Sequence, residues 1–232
     1  MSSDLAVHPS SVPCEGGATV WLTGLPSAGK STIAAGVAER LRTLRCGVEI
    51  LDGDLIRTNL SRGLGYSRED RATNIRRIGF VSGLLARHGV LVLVASIAPH
   101  AEVRDQVRAE HDEHGVPFVE VHVSTPLEVT SVRDVKGLYA RQRAGEVTGL
   151  TGVDDEYEVP AHPDLVIPTH EHTVEESVTA LVDHLVASGI SERPHSEGHA
   201  GVPAAPTAVP AVVAALAIQA PSTDEHARTE HA

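Results

Sequence analysis

TVWLTGLPSAGKST, residues 19–32, runs from a short β-branched apolar stretch through a glycine-rich loop into an amphipathic segment. Its portion Gly24-Leu25-Pro26-Ser27-Ala28-Gly29-Lys30-Ser31-Thr32 satisfies G-x-x-x-x-G-K-[ST] in full. The chemistry explains the residue types. Glycines let the backbone curl so that its N–H groups and the following helix N-terminus face a phosphate, while Lys30 reaches the β- and γ-phosphates and Ser31 offers a hydroxyl to Mg²⁺. Strand, loop and helix follow in the order the motif requires. The reading is a P-loop that binds a nucleoside triphosphate and Mg²⁺, and it leaves open whether the chain is a kinase, a GTPase or a motor.

Outward from that loop, apolar runs alternate with longer amphipathic segments. Strands are expected at Thr19–Leu22, Val48–Leu51, Val90–Ala95, Phe118–Val123 and Leu165–Ile167, and helices at about 31–45, 68–88, 100–114, 126–133 and 173–188. This alternation implies an α/β P-loop NTPase fold, a parallel β-sheet of about five strands flanked by helices on both faces. Ligands then bind beyond the carboxyl ends of the strands. Residues 1–17 read as a flexible leader, 18–190 as the P-loop domain and 191–232, rich in Ala, Pro and His, as a disordered tail.

Composition narrows the partners. A net charge of −12 repels nucleic acid and anionic membranes over about 10 Å, so neither is an expected partner. No apolar run long enough to span a membrane and no signal peptide is evident, which points to the cytoplasm. Cys14 and Cys46 read as free thiols without a function. Only two of the 19 basic residues are lysine, Lys30 and Lys136, and both lie in motifs.

The second strand ends in Leu51-Asp52-Gly53-Asp54-Leu55-Ile56-Arg57. Two carboxylates at a strand's carboxyl end suit a kinase, which needs one to take the acceptor's proton or to hold Mg²⁺, and an arginine to bind an anionic acceptor. An Asx-type turn capping the next helix is the competing reading. Farther on, Tyr66 precedes Arg71 and Asn74, which share a helical face at i, i+3.

These residues bring out a resemblance to the adenylylsulfate kinase family over roughly residues 19–188. It is carried by GLPSAGKST, LDGDLIR, LGYSREDRATNIRR, Ala95-Ser96-Ile97-Ala98-Pro99-His100, Arg133-Asp134-Val135-Lys136-Gly137-Leu138-Tyr139 and the run TGVDDEYE at 151–158. The resemblance implies phosphorylation of the 3′-hydroxyl of adenosine 5′-phosphosulfate, with Asp54 as catalytic carboxylate and metal ligand, and Asp52, Lys30 and Lys136 beside it. It further implies that Arg57, Arg71 and Asn74 hold the phosphosulfate, that Tyr66 stacks on the acceptor adenine and that Ile97 and Ala98 line its pocket. Arg133 falls on the ATP side, residues 134–158 form a mobile lid, and a homodimer is implied.

The sequence also departs from that pattern. Ala98 stands where the family commonly has a serine, which removes a phosphoserine intermediate and leaves direct in-line transfer. Leu150 replaces a phenylalanine that stacks on the acceptor base, Ala101 a basic residue and Thr73 a glutamate. Two other readings therefore stand beside the first: a P-loop kinase acting on another nucleoside or sugar hydroxyl, and an inactive nucleotide-binding subunit.

Overall fold

A computed structural model of the chain describes residues 16–43 and 47–190. Most of the expected leader, both cysteines and the expected tail lie outside the described residues. The chain order is β1 (Ala18–Thr23), α1 (Lys30–Thr43), β2 (Val48–Asp52), α2 (Gly53–Asn59), α3 (Arg68–Arg87), β3 (Leu91–Ala95), α4 (Ala101–Glu113), β4 (Phe118–Val123), α5 (Leu127–Arg133), α6 (Leu138–Arg143), β5 (Leu165–Ile167) and α7 (Val174–Ala187). The strands form one parallel sheet in the order β2-β3-β1-β4-β5.

Side chains alternate across β1, so Val20 and Leu22 join one core while Trp21 joins the other. On the first face α1 presents Ile33, Ala34, Val37, Ala38 and Leu41, the spacing of a single helical stripe, beside Val178, Leu181 and Leu185 of α7. On the second, Ile75 and Ile78 of α3 and Val103 and Val107 of α4 cover Trp21, Val92, Val94 and Phe118. Neighbouring strands β1 and β3 thus send their following helices to opposite faces. Their loops diverge at the carboxyl edge and leave a crevice there.

Two helices were not expected from the periodicity, α2 and α6, with seven and six residues. Neither is long enough to show two turns of apolar repeat, and both depend on side-chain carboxylates instead. Asp52 accepts from the Asp54 N–H (3.0 Å) to cap α2. Asp134 accepts from the N–H groups of Tyr139 (3.0 Å) and Ala140 (2.8 Å) to cap α6. No helix among the described residues is long and apolar enough to cross a membrane.

A buried ion pair ties the sheet to the crevice. Arg104 of α4 donates to Glu120 of β4 (2.8 Å), and its other nitrogens donate to the carbonyls of Ala98 and Glu158, both at 2.7 Å. Both partners are almost wholly enclosed. Removing one member of such a pair strands the other charge. Glu120→Ala is expected to destabilise the fold by about 3 kcal/mol, the low end for a broken buried pair because two carbonyls still serve Arg104. A denaturant-midpoint measurement checks it.

Candidate active site

The nucleotide loop is shaped by backbone that only certain residues tolerate. Gly24 has φ 152°, and a Cβ there would stand 2.5 Å from the Val123 carbonyl oxygen. The non-glycine residues with positive φ among the described residues are Ser27, Ala98 and Asp134, in the loop, after β3 and after α5 respectively. Strain of this kind concentrates at functional edges.

Lys30 donates from Nζ to the carbonyls of Gly24 (2.9 Å) and Leu25 (2.7 Å), so its ammonium spans the loop. Burial lowers its pKa to about 7; repulsion from Lys136 acts in the same direction, while Asp52 and Asp54 oppose it. Behind the loop, the Thr169 hydroxyl donates to the Ala28 carbonyl (2.8 Å), and Thr125 Oγ1 lies 2.6 Å from Thr169 Oγ1. The Thr125 hydroxyl also lies 3.1 Å from the Ala28 carbonyl, so the two hydroxyls converge on that oxygen. Arg133 donates to Thr169 through both its Nη1 (2.8 Å, to the hydroxyl) and Nη2 (2.7 Å, to the carbonyl).

The two aspartates after β2 have separate duties. Ser31 donates its hydroxyl to Asp52 (2.6 Å), and Asp52 caps α2 with its other oxygen. Turn cap and site carboxylate are therefore one residue. Burial pushes the Asp52 carboxyl up, but the Ser31 hydroxyl, the Asp54 N–H and the charge of Lys136 outweigh it and hold it below the usual range. Asp54 is exposed and forms an ion pair with Lys136. The metal ligands expected from the sequence were Ser31 and Asp54; the carboxylate that touches Ser31 is Asp52.

Mg²⁺ retains several waters and takes one or two carboxylates together with phosphate oxygens rather than a protein cage. Among the described residues no three His, Cys, Asp or Glu converge on one point. The pairing of Ser31 with Asp52, with Asp54 two residues away, fits an ion held mainly by phosphates. The curled loop and the lysine across it fit the phosphates themselves.

Beside the loop, one cleft is lined by Lys30, Ser31, Asp52, Asp54, Arg57, Arg71, Asn74, Ile97, Ala98 and Lys136. The residues assigned to catalysis and most of those assigned to the acceptor therefore meet. Arg71 and Asn74 are buried. Arg71 donates to the Tyr66 carbonyl (2.7 Å), the Thr151 hydroxyl (2.9 Å), the Gly149 carbonyl and Asp155 (3.2 Å). Asn74 accepts from the Ser61 hydroxyl.

Outside the loop itself, three assigned residues do not line this cleft. Tyr66 is 65% exposed with the Arg57 guanidinium 4.3 Å above its ring, so one aromatic face is already covered. Leu150 is buried at 6% exposure because its N–H is held by Asp154 (2.8 Å) in the tight turn around Gly152. Arg133 stands behind the loop on Thr169.

The segment expected as a lid is fastened at several points. Tyr157 lies 3.0 Å from the Thr23 hydroxyl, whose proton is given to the Ile97 carbonyl (2.6 Å), so the phenol is the donor. Burial pushes that phenol up to about 12. Glu158 accepts from the Ala101 N–H (2.7 Å) at the start of α4, where His100 supplies no side-chain cap. Sequence reasoning missed Thr125, Tyr139, Tyr157 and Thr169. Thr125 and Thr169 each come two residues after a strand, the place where such sheets carry their sites.

The adenylylsulphate kinase family pattern matches residues 16–168. The chain is 52% identical over 173 residues to an adenylyl-sulfate kinase of Picosynechococcus sp., covering 75% of this chain and 96% of that one. Among solved structures, the Mycobacterium tuberculosis APS kinase in complex with AMPPNP and APS is 43% identical with a TM-score of 0.72, covering 74% of this chain and 99% of that chain. A hexameric APS kinase from Thiobacillus denitrificans is 34% identical with a TM-score of 0.57, covering 76% of this chain and 30% of that chain.

The lowered pKa of Lys30 has a measurable sign. An unfolded chain keeps this proton up to the model-peptide value of 10.5, whereas the folded, ligand-free protein releases it near 7. Stability from this group therefore rises between those two values, where the unfolded state binds more protons. Bound phosphates favour the ammonium again. Mg-ATP binding is expected to take up about one proton at about pH 8.5 and almost none at about pH 6. Calorimetry in buffers of different ionisation enthalpy reads this directly, and Lys30→Met should abolish the uptake.

Proposed function

The chain belongs to the adenylylsulphate kinase family, and from that premise we propose that it transfers the γ-phosphoryl group of ATP to the 3′-hydroxyl of adenosine 5′-phosphosulfate. The products are ADP and 3′-phosphoadenosine 5′-phosphosulfate. The observation that carries this reading is the position of the Asp54 and Lys136 pair, which lines one cleft with the P-loop residues Lys30 and Ser31 and the basic residues Arg57 and Arg71. One half of that cleft suits a triphosphate and the other an anionic acceptor.

In the transfer step the acceptor O3′ forms a bond to the γ-phosphorus as the bond from that phosphorus to the β,γ-bridging oxygen breaks. The O3′ proton passes to an Asp54 oxygen and then to solvent. Lys30 is placed to meet the charge on the departing phosphate. Lys136 pairs with Asp54, where it can exchange the carboxylate for phosphoryl oxygens as the substrates enter. Mg²⁺, when bound, neutralises charge on the phosphate oxygens.

Arg57 and Asn74 supply the groups for the phosphosulfate, with Arg71 committed in part to the segment at 149–155. Direct transfer is favoured over a phosphoenzyme because Ala98 offers no hydroxyl at the cleft wall. The same reading puts the enzyme in the cytoplasm beside its ATP supply. Self-association belongs to it too, in keeping with the hexameric relative from Thiobacillus denitrificans.

Asp54→Asn keeps the shape of the side chain and removes its basicity. It is expected to lower acceptor-dependent ADP formation by about 10²–10⁴-fold and to change Mg-ATP affinity by no more than about twofold. Turnover assays and equilibrium nucleotide titration check the two halves. Wild-type turnover in this variant would remove Asp54 from its role.

A further inference from the structure

Lys136 stands at the tip of a turn that is closed on itself. Asp134, at φ 28°, receives the N–H groups of Tyr139 and Ala140, and Gly137 at φ 65° lets the chain reverse between them. The turn is also fastened to the nucleotide loop. Tyr139 is 2% exposed, and its hydroxyl lies 3.1 Å from the Pro26 carbonyl and 3.0 Å from Thr130 Oγ1. A phenol carries one proton, and the Thr130 hydroxyl gives its own to the Leu127 carbonyl (3.0 Å), so Tyr139 donates between two acceptors, Thr130 Oγ1 and the Pro26 carbonyl.

The ring alone would fill this space equally well as phenylalanine. What the hydroxyl adds is registry: it fixes the distance between the loop that curls around phosphates and the turn that presents Lys136 to Asp54. We propose that Tyr139 and Asp134 are positioning residues that hold Lys136 at the reacting centre, Tyr139 by hydrogen-bonding the lid turn to the Pro26 carbonyl and Asp134 by closing the turn. The kinetic part of this inference rests on the transfer reaction proposed above. Lys136 itself touches Asp54, whereas Tyr139 and Asp134 act through it. A group misplaced by a fraction of a turn loses the benefit of orientation even when every reacting group is present.

The chain's own composition supplies a test that does not need turnover. Lys30 and Lys136 are its only lysines, so acylation by an N-hydroxysuccinimide ester, followed by peptide mass analysis, reports Lys136 individually. Tyr139→Phe, which keeps the buried ring, is expected to raise the Lys136 labelling rate about fivefold, the change in open population that one lost hydrogen bond produces. Asp134→Ala should do the same from the other end of the turn and serves if Tyr139→Phe does not fold.

In steady-state assays each variant is expected to lower kcat about tenfold with little change in the KM for ATP. In a Lys136→Ala background neither should add more than about a further twofold, because the lysine through which they act is gone. Unchanged Lys136 labelling in both variants, or kinetic losses that simply add to that of Lys136→Ala, overturns the proposal. If the wild type fails to phosphorylate adenosine 5′-phosphosulfate, the reaction reading falls, and the labelling rates still decide whether Tyr139 and Asp134 hold Lys136.

Discussion

A lysine ammonium withdrawn from water and caged by the carbonyls of Gly24 and Leu25 is the centre from which the rest of the edge is organised. An ammonium in that setting is costly unless its donors are met and anions are near. The loop that meets them is held from several directions. Thr169, after β5, fixes the Ala28 carbonyl, with Thr125, after β4, behind it; Tyr139 fixes the Pro26 carbonyl; and Asp52, at the end of β2, takes the Ser31 hydroxyl. Each support comes from a different strand end or from α6. The parallel sheet matters to function because it brings those ends to a single edge.

On the acceptor side the same economy appears in the segment 149–158. Arg71 of α3 binds it at Gly149, Thr151 and Asp155, the Tyr157 phenol reaches Thr23 at the end of β1, and Glu158 caps α4. A segment rich in carboxylates and glycine thereby becomes a strap across two helices and a strand. Arg71 has a double position, lining the cleft while holding the strap. Under the proposed reaction, acceptor binding at this arginine and placement of the strap are linked through one guanidinium.

Much of this was legible in the residues. The loop motif and the strands along the chain follow from patterns in which spacing is dictated by chemistry, whereas the meeting of Asp54, Arg57, Asn74 and Lys136 in one cleft was implied by the family resemblance. The role of Asp52 was legible only as a choice between a helix cap and a site carboxylate, and in the structure one oxygen caps α2 while the other takes the Ser31 hydroxyl. Leu150 and Tyr66 were placed by resemblance at the acceptor base, but the cleft is not lined by either, since a local turn buries one and Arg57 covers the other. Thr125, Tyr139 and Thr169 were not visible because single hydroxyl residues carry no periodicity. Their partners are carbonyls distant in sequence, and only the folded sheet brings the two together.

Acceptor-dependent ADP release with Mg-ATP decides the identity of the acceptor. Adenosine 5′-phosphosulfate would be compared with AMP, adenosine and other nucleotides, and the product identified by mass. Strong preference for the phosphosulfate and a product heavier by one phosphoryl group are expected. Turnover with a different hydroxyl compound and none with the phosphosulfate would contradict the proposed acceptor.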